Sequence, residues 1–269
     1  MPEGRPGRAL ATELRILRRD RAVGWGLTTL GLAAGAALWE VGGRQTSAAF
    51  LVPLSETLVR LLELARGGEL WPALLNSLSL FAAGLALAVL VGVPLGLLLA
   101  RLRPLRVALE GYIAFMNATP MAALIPFILS MMGFGFAPKV LVVFLFSVFP
   151  LLYNTVEGAR SLKPELIEVA RSFRSGEAAL WRDVLLPFVL PFVLTGFRQA
   201  IGRALVGMVA AEFFLSASGL GMLIQEGANS SDTAGVLAMI LLITLLGVAL
   251  MECGNALERR FAAWRGLKR

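Results

Sequence analysis

Three ionisable side chains lie inside a stretch that is otherwise apolar: Arg198, Arg203 and Glu212. An arginine at the centre of a bilayer costs about 2.5–3.5 kcal/mol on insertion scales, so each arginine needs a partner or a function. A structural interpretation pairs Arg198 with Glu212 or with a backbone carbonyl, because a separation of 14 residues brings the two side chains to nearly the same helix face. A functional interpretation makes the arginines a positive lining for a small anion.

Several side chains that catalysis and metal binding need are missing. The chain has no histidine, which excludes Ser-His triads, Cys-His pairs and His-ligated zinc or haem. Cys253 is the single cysteine, so no internal disulfide can form. No G-x-x-x-x-G-K-[ST] phosphate loop occurs, so ATP-driven work requires a partner subunit. The sequence therefore predicts no enzyme activity, no metal site and no cofactor.

Composition places the chain among membrane proteins. Of its 269 residues, 57% are hydrophobic and 16% are charged. A transmembrane helix needs about 20 predominantly apolar residues. The uncharged runs of suitable length are 22–39, 70–100, 111–138, 140–156 and 233–251, and a sixth candidate, 184–213, contains the two arginines. We therefore expect an all-α integral membrane protein with six transmembrane helices.

The basic residues are distributed unevenly between the predicted loops. Most of the 25 Lys and Arg residues lie in segments 1–21, 101–106, 160–182 and 259–269, which share one side if six spans follow a cytoplasmic start. The other side carries only Arg44, Arg60, Arg66 and Lys139. The positive-inside rule then makes both termini cytoplasmic. The net charge of +7 thus indicates orientation and contact with membrane lipid, and not nucleic-acid binding.

Polar residues also interrupt the predicted third span, in the stretch NATP. Asn117, Thr119 and Pro120 occur there, and prolines free carbonyls that neighbours or a watery cavity must satisfy. Both a pathway lining and ordinary kinked packing remain open for them. Ser216 and Ser218 belong to the polar, glycine-rich segment 214–232, which we predict to lie outside without spanning, and a path that dips back into the bundle remains open for it.

Residues 160–187 predict a polar helix pair between two spans. Pro164 suits a first helical position, and apolar residues then recur three and four apart up to Phe173. A second helix starts at Glu177, places Leu180 and Trp181 on its apolar side, and meets the next span at Pro187. The polar face is mixed in sign, with Glu165, Glu168, Arg171, Glu177, Arg182 and Asp183. Mixed signs favour a protein partner over lipid headgroups, which select a basic face, although an interfacial helix pair is the alternative.

This passage resembles the EAA motif of ABC importer permeases, a cytoplasmic helix pair that docks into a groove of a separate ATPase subunit. Glu168, Val169 and Ala170 stand at the EAA positions, and Leu186 and Pro187 match the closing leucine-proline pair. Arg174 replaces the glycine of the family pattern, and a glycine follows at Gly176. A left-handed turn at a non-glycine residue costs roughly 1–2 kcal/mol, so the turn position is open between the two.

Further stretches are similar to permeases of the nitrate, sulfonate, taurine and bicarbonate branch, over about residues 50–260. They are NSLSLFAAGLALAVLVGVPLGLLLA, NATPMAALIPFIL, PFVLPFVLTGFRQAIGRALVGMVAAEFF and SASGLGMLI. The resemblance implies the type I importer permease fold, with a basic cytoplasmic tail over 1–21, a six-span domain over 22–258, coupling helices at about 160–187 and a second basic tail over 259–269.

The same resemblance implies partners and a location. It implies a permease dimer, two ABC ATPase subunits and an extracellular or periplasmic substrate-binding protein, in the inner membrane of a prokaryote. Glu168 and Arg171 would contact the ATPase, while Leu180 and Trp181 would seat the pair against its own spans or the groove. The alternative function is an ion-coupled secondary transporter or channel, which predicts inverted repeats and buried acidic ion ligands.

Overall fold

The computed structural model describes residues 6–215 and 218–262, and the regular elements in these ranges are helices. Short 3-10 and π-helical segments at Met121–Leu124 and Leu180–Leu185 join some of them. The helices are α1 (Pro6–Gln45), α2 (Leu54–Gly67), α3 (Leu70–Arg101), α4 (Arg103–Ala118), α5 (Ile125–Met132), α6 (Phe136–Arg160), α7 (Pro164–Ser172), α8 (Glu177–Ala179), α9 (Leu186–Leu215), α10 (Leu220–Asn229) and α11 (Thr233–Ala262).

Four helical stretches in the described residues are long and apolar enough to cross a membrane. They are Leu70–Arg101, Phe136–Arg160, Glu177–Phe214 and Thr233–Arg260. They contain the predicted spans 70–100, 140–156, 184–213 and 233–251, so the all-helical membrane class is confirmed. The predicted first span, 22–39, lies within the continuous helix α1. The total of six spans stays a prediction.

The predicted third span is not one straight helix. Its residues divide between α4 and α5, whose axes differ in direction by 90°. Thr119 closes α4 with extended backbone angles, φ −67° and ψ 131°. The cause is Pro120, because proline forces the residue before it out of the helical region. The pair α4 and α5 makes a fifth candidate span if the two are counted together.

The core forms where α6 packs between α3 and α9. Glycines allow these helices to approach closely: a Cβ at Gly92 of α3 would lie 3.2 Å from Leu151 of α6, and one at Gly196 of α9 would lie 2.9 Å from the Pro150 carbonyl oxygen. Ala200 and Ala204 of α9 are fully buried beside this contact. Small residues thus set the spacing, as is typical where lipid removes the hydrophobic drive for association.

The bundle has two distinguishable ends, which we call the α7 end and the α10 end after the short helices that lie there. At the α10 end, Arg60 of α2 binds Asp232 with an Nη2 to Oδ2 distance of 2.8 Å. This hydrogen bond raises the pKa of Arg60 above its ordinary value. Asp232 also accepts a 2.8 Å bond from the Gly235 amide, so it caps the start of α11 while holding α2 against it.

Candidate functional site

The turn between the two helices of the polar pair is built on Arg174. The Ser175 amide donates to the Ala170 carbonyl at 3.2 Å and the Arg174 amide donates to Arg171 at 2.8 Å. This crossed pattern is a Schellman motif, whose left-handed position is usually glycine. Arg174 occupies that position with φ 56°, whereas Gly176 is extended with φ −70°. The turn therefore stays at the residue that replaces the family glycine.

The second helix of the pair is fixed to the end of α3 by one arginine. Arg101 Nη2 lies 2.8 Å from Glu177 Oε2, and its guanidinium carbon lies 5.6 Å from the centre of the Trp181 ring. Leu180 is buried beside them. Arg101, Leu180 and Trp181 border a cavity of about 170 Å³ between the helix pair and the ends of α3 and α6. Leu180 and Trp181 thus seat the pair on its own spans.

Pro187 does not interrupt the chain's helical path. The stretch Glu177–Phe214 is continuous, and a π-helical turn at Leu180–Leu185 lies just before the proline. Proline has no N–H and clashes with the carbonyl four residues earlier, and a widened turn relieves both problems. The second helix of the pair is therefore continuous with α9.

The outward side of α7 carries both apolar and charged residues. Leu166, Val169 and Phe173 are 44%, 54% and 80% exposed. The predicted polar contacts Glu165, Glu168 and Arg171 are exposed as well, and Ala170 is partly buried. Exposed large apolar side chains beside charges of both signs are typical of a protein-binding surface.

Glu212 is the centre of a buried polar cluster at the α10 end. Ser77 of α3 donates to Glu212 Oε1 at 2.6 Å, and the Gly221 amide donates to Oε2 at 2.9 Å. Ser77 Oγ also accepts a 2.9 Å bond from the Leu220 amide. The carboxylate is 1% exposed and lies at the N-terminal turn of α10, where the unpaired amides and the helix dipole favour negative charge.

Glycines make room for this carboxylate. Gly219 has φ 103°, and a Cβ there would collide with the Glu212 carboxylate. A Cβ at Gly221 would lie 2.6 Å from Cβ of Glu212. Lys139 of α6 is also buried, and its ammonium attracts the same carboxylate. The cluster therefore joins α3, α6, α9 and α10 at one point.

Of the two partners considered for Arg198 in the structural interpretation, Glu212 is wrong. Arg198 Nη1 lies 3.4 Å from Asn255 Oδ1 and 3.7 Å from Glu258 Oε2, both on α11. The 14-residue separation places the two side chains roughly 21 Å apart along α9, so Arg198 meets α11 while Glu212 meets α10 at the α10 end of the bundle. Arg203 behaves differently, because its side chain is exposed on the outer surface of α9.

The other predicted pathway residues are scattered. Asn117 and Pro120 are exposed at the bend between α4 and α5, and Thr119 Oγ1 bonds the Phe115 carbonyl at 2.9 Å. Ser218 is partly buried and borders an open cavity of about 420 Å³ beside Gly219 at the α10 end. Ser216 lies outside the described residues. Asn117, Thr119 and Pro120 therefore lie together at the α4–α5 bend, while Ser218 borders a different cavity at the α10 end.

Sequence reasoning missed three residues that organise these sites: Ser77, Arg101 and Lys139. Ser77 lies in a long apolar run, where a lone hydroxyl gives little signal. Arg101 and Lys139 were counted only as charges that report orientation. Their partners are distant in the chain, so only the packing of α3 and α6 reveals them.

The described residues form an apolar helical bundle, and one continuous helix runs from an exposed polar pair into its core. Comparisons with known proteins identify the family. Residues 92–263 match the family described as binding-protein-dependent transport system inner membrane component. The chain belongs to this family. It is a permease subunit of an ABC transporter and not an enzyme.

Individual relatives support the family. The taurine transport system permease protein TauC of Escherichia coli (strain K12) is 32% identical over 235 residues, which cover 85% of each chain. The riboflavin transport system permease protein RibX of Chloroflexus aurantiacus is 32% identical over 218 residues, 80% of this chain and 81% of that protein. The resemblance to the taurine and sulfonate branch is thereby confirmed.

Solved structures confirm the fold. The chain superposes on the inward-facing MetNI methionine ABC transporter with a TM-score of 0.63 at 17% identity, over 73% of this chain and 98% of that one. A crystal structure of an amino acid ABC transporter gives a TM-score of 0.55 at 19% identity, over 70% and 92% of the two chains.

Proposed function

We propose that this chain forms the pathway by which a small anionic solute enters a cell. We also propose that a separate ATPase binds the α7 end and moves the spans through it. The observation that carries the proposal is the outward side of α7. Leu166, Val169 and Phe173 are exposed there beside Glu168 and Arg171, on a helix that the protomer itself leaves uncovered. An ATPase groove would bury these apolar side chains.

Mechanical coupling follows from how the helix pair is attached. Arg101 links Glu177 and Trp181 to the end of α3, and the second helix of the pair runs without a break into α9. When two ATPases close on nucleotide, a pull on α7 is passed to α3 and α9 together as a rigid-body rotation. In this proposal the α7 end and both termini face the cytoplasm, α1 is the first span, and α4 with α5 forms the third.

The pathway itself is proposed to lie between two copies of the chain. Two-fold dimers are by far the commonest symmetric homo-oligomers among soluble proteins, and a two-fold axis places the same surface of each copy opposite the other. The solute is proposed to be nitrate, a sulfonate, taurine or a bicarbonate-like anion. The similarity to TauC, a taurine transport permease, supports this choice, and a substrate-binding protein would deliver the solute at the α10 end.

Co-purification with the ATPase subunit tests the proposal. Phe173→Asp puts a charge where the groove should bury a ring, so we expect the ATPase to be lost from the mildly solubilised complex. Phe134 is the matched control, because it is similarly exposed, at 81% compared with 80%, but lies at the α10 end. Phe134→Asp should retain the ATPase. Retention by both variants, or a wild-type chain that binds no ATPase, would refute the docking surface.

A further inference from the structure

One face of α9 is polar within an otherwise apolar span. Gln199 and Arg203 are both exposed and, being four residues apart, lie on the same side of the helix. Val206, one turn further on, is 59% exposed on this side. The opposite side holds Ala204 and Met208, which are fully buried. Arg203 therefore points away from its own protomer.

Arg203 lies in the middle of the bundle. Gly196 packs on Pro150 of α6, and Gly207 packs on Phe146 of the same helix, so Arg203 falls between two points of close helix contact. It is five residues beyond Arg198, roughly 7.5 Å further along the helix from the α7 end. Within the described residues, the Arg203 side chain makes no hydrogen bond or ion pair, whereas the Arg198 side chain binds α11.

Gln199, four residues before Arg203 on the same helix face, has hydrogen-bond donors to spare. Asn154 Nδ2 donates to the Pro150 carbonyl at 2.8 Å and to Gln199 Oε1 at 3.3 Å, which leaves the Gln199 amide N–H groups to bind another acceptor. Acidic side chains on the neighbouring α11 are already engaged. Glu258 pairs with Arg198, and Glu252 pairs with Arg259 at 3.5 Å. Nothing described in the protomer neutralises the Arg203 guanidinium.

An unpaired guanidinium cannot face lipid without a large free-energy cost, so this surface of α9 must meet water or protein. In a two-fold dimer the same surface of each copy would bring two guanidinium groups toward one another, where a small anion would relieve their repulsion. Guanidinium and amide N–H groups suit an oxyanion, which accepts several hydrogen bonds at once.

We propose that Arg203, supported by Gln199, forms an anion-binding site on the translocation pathway, and that its ligand is a small oxyanion such as a sulfonate or a carboxylate. Arg198 has no part in this site. The inference rests on the proposed function, because it requires the pathway to lie between two permease copies. It gives Arg203 and Arg198 different roles, although the sequence alone could not distinguish them.

Thiol modification of the assembled complex tests the site. In a Cys253→Ala background, Val206→Cys places one thiol a single turn from Arg203 and leaves Gln199 and Arg203 intact. Its reaction rates with an anionic reagent, sulfonatoethyl methanethiosulfonate, and a cationic one, trimethylammonioethyl methanethiosulfonate, are each normalised to a free thiol. We expect the anionic reagent to react about tenfold faster, since a positive cleft concentrates anions. Arg203→Gln should remove this preference, and Arg203→Lys should keep most of it.

The control thiol is Leu90→Cys on α3, where the native side chain is 71% exposed on an apolar face. It should react much more slowly with both reagents than Val206→Cys. Equal rates at the two positions, or a charge preference unchanged by Arg203→Gln, would overturn the anion site. Co-purification of the ATPase with the same samples separates the proposals: if it persists while the preference is absent, only the anion site fails.

Discussion

Ser77 Oγ donates a 2.6 Å hydrogen bond to Glu212 Oε1 and accepts a 2.9 Å bond from the Leu220 amide. One hydroxyl of α3 therefore links α9 to the first turn of α10, and all three partners are buried. The short helix α10 is held by this polar link at the end of the bundle opposite α7.

Removing the hydroxyl tests the link. Ser77→Ala leaves a buried carboxylate oxygen and a buried amide each short of a partner, so we expect a loss of about 1–3 kcal/mol in stability. Thermal unfolding of the solubilised protein measures it. Ser79→Ala is the control, because Ser79 is exposed and its hydroxyl bonds only the Asn76 carbonyl of its own helix. Equal melting temperatures for the two variants would contradict the link.

The backbone at Gly219 gives a second prediction at this cluster. Gly219→Ala forces a side chain into a φ of 103° and against the Glu212 carboxylate, so we expect about 1–3 kcal/mol of destabilisation from the backbone alone, with α10 displaced. Increased hydrogen exchange over residues 220–229 would report the displacement. Gly176 has an ordinary φ of −70° and open space around it, so Gly176→Ala should cause neither the loss of stability nor the increased hydrogen exchange over residues 220–229. Unaltered exchange in Gly219→Ala would refute the steric argument.

Arg174 holds a left-handed conformation that glycine adopts without strain. Arg174→Gly should therefore stabilise the turn after α7 by about 1 kcal/mol, once the added flexibility of the unfolded chain is subtracted. We expect slower amide hydrogen exchange at Ser175, whose N–H donates to the Ala170 carbonyl. Faster exchange would mean that Arg174 contributes a stabilising contact that outweighs the backbone strain.

Arg101 should matter more for coupling than for stability. Its ion pair with Glu177 is about half exposed, and such pairs contribute roughly 0–1 kcal/mol. We expect Arg101→Gln to retain the docked ATPase while solute transported per ATP hydrolysed falls severalfold, because the helix pair loses its tie to α3. Arg182→Gln is the matched control, since Arg182 is 80% exposed and pairs only with the adjacent Asp183. The same reduction in both variants would remove Arg101 from the coupling route.

Much of the fold follows from where charges are absent. The runs 70–100, 140–156 and 233–251 contain no charged residue, and each forms one long helix because the bilayer constraint acts on every residue of a span. The break at Thr119 was not predicted as a 90° bend, since the same uncharged composition fits a straight span or a bent pair. Chain-local signals in the polar helix pair were sufficient to place α7 and the start of the second helix at Glu177.

The site residues could likewise be predicted only in part from the sequence. Helical periodicity put Arg198 and Glu212 on nearly one face, but which partner each meets depends on the depth at which α10 and α11 cross α9. Ser77, Arg101 and Lys139 act on residues more than 70 positions away, so no local pattern identifies them. Arg203 was predicted as a pathway residue from its type alone, and its exposure on α9 is what now supports that hypothesis.

The central claim is that the helix pair couples a separate ATPase to the spans. It is tested most directly by measuring ATP hydrolysis and solute uptake in proteoliposomes that contain the permease, its ATPase and its binding protein. Glu168 is exposed on α7, so Glu168→Lys should leave a folded, membrane-inserted complex in which substrate-stimulated hydrolysis and uptake are abolished. Undiminished uptake by that variant, or uptake by wild-type vesicles prepared without the ATPase, would contradict the account.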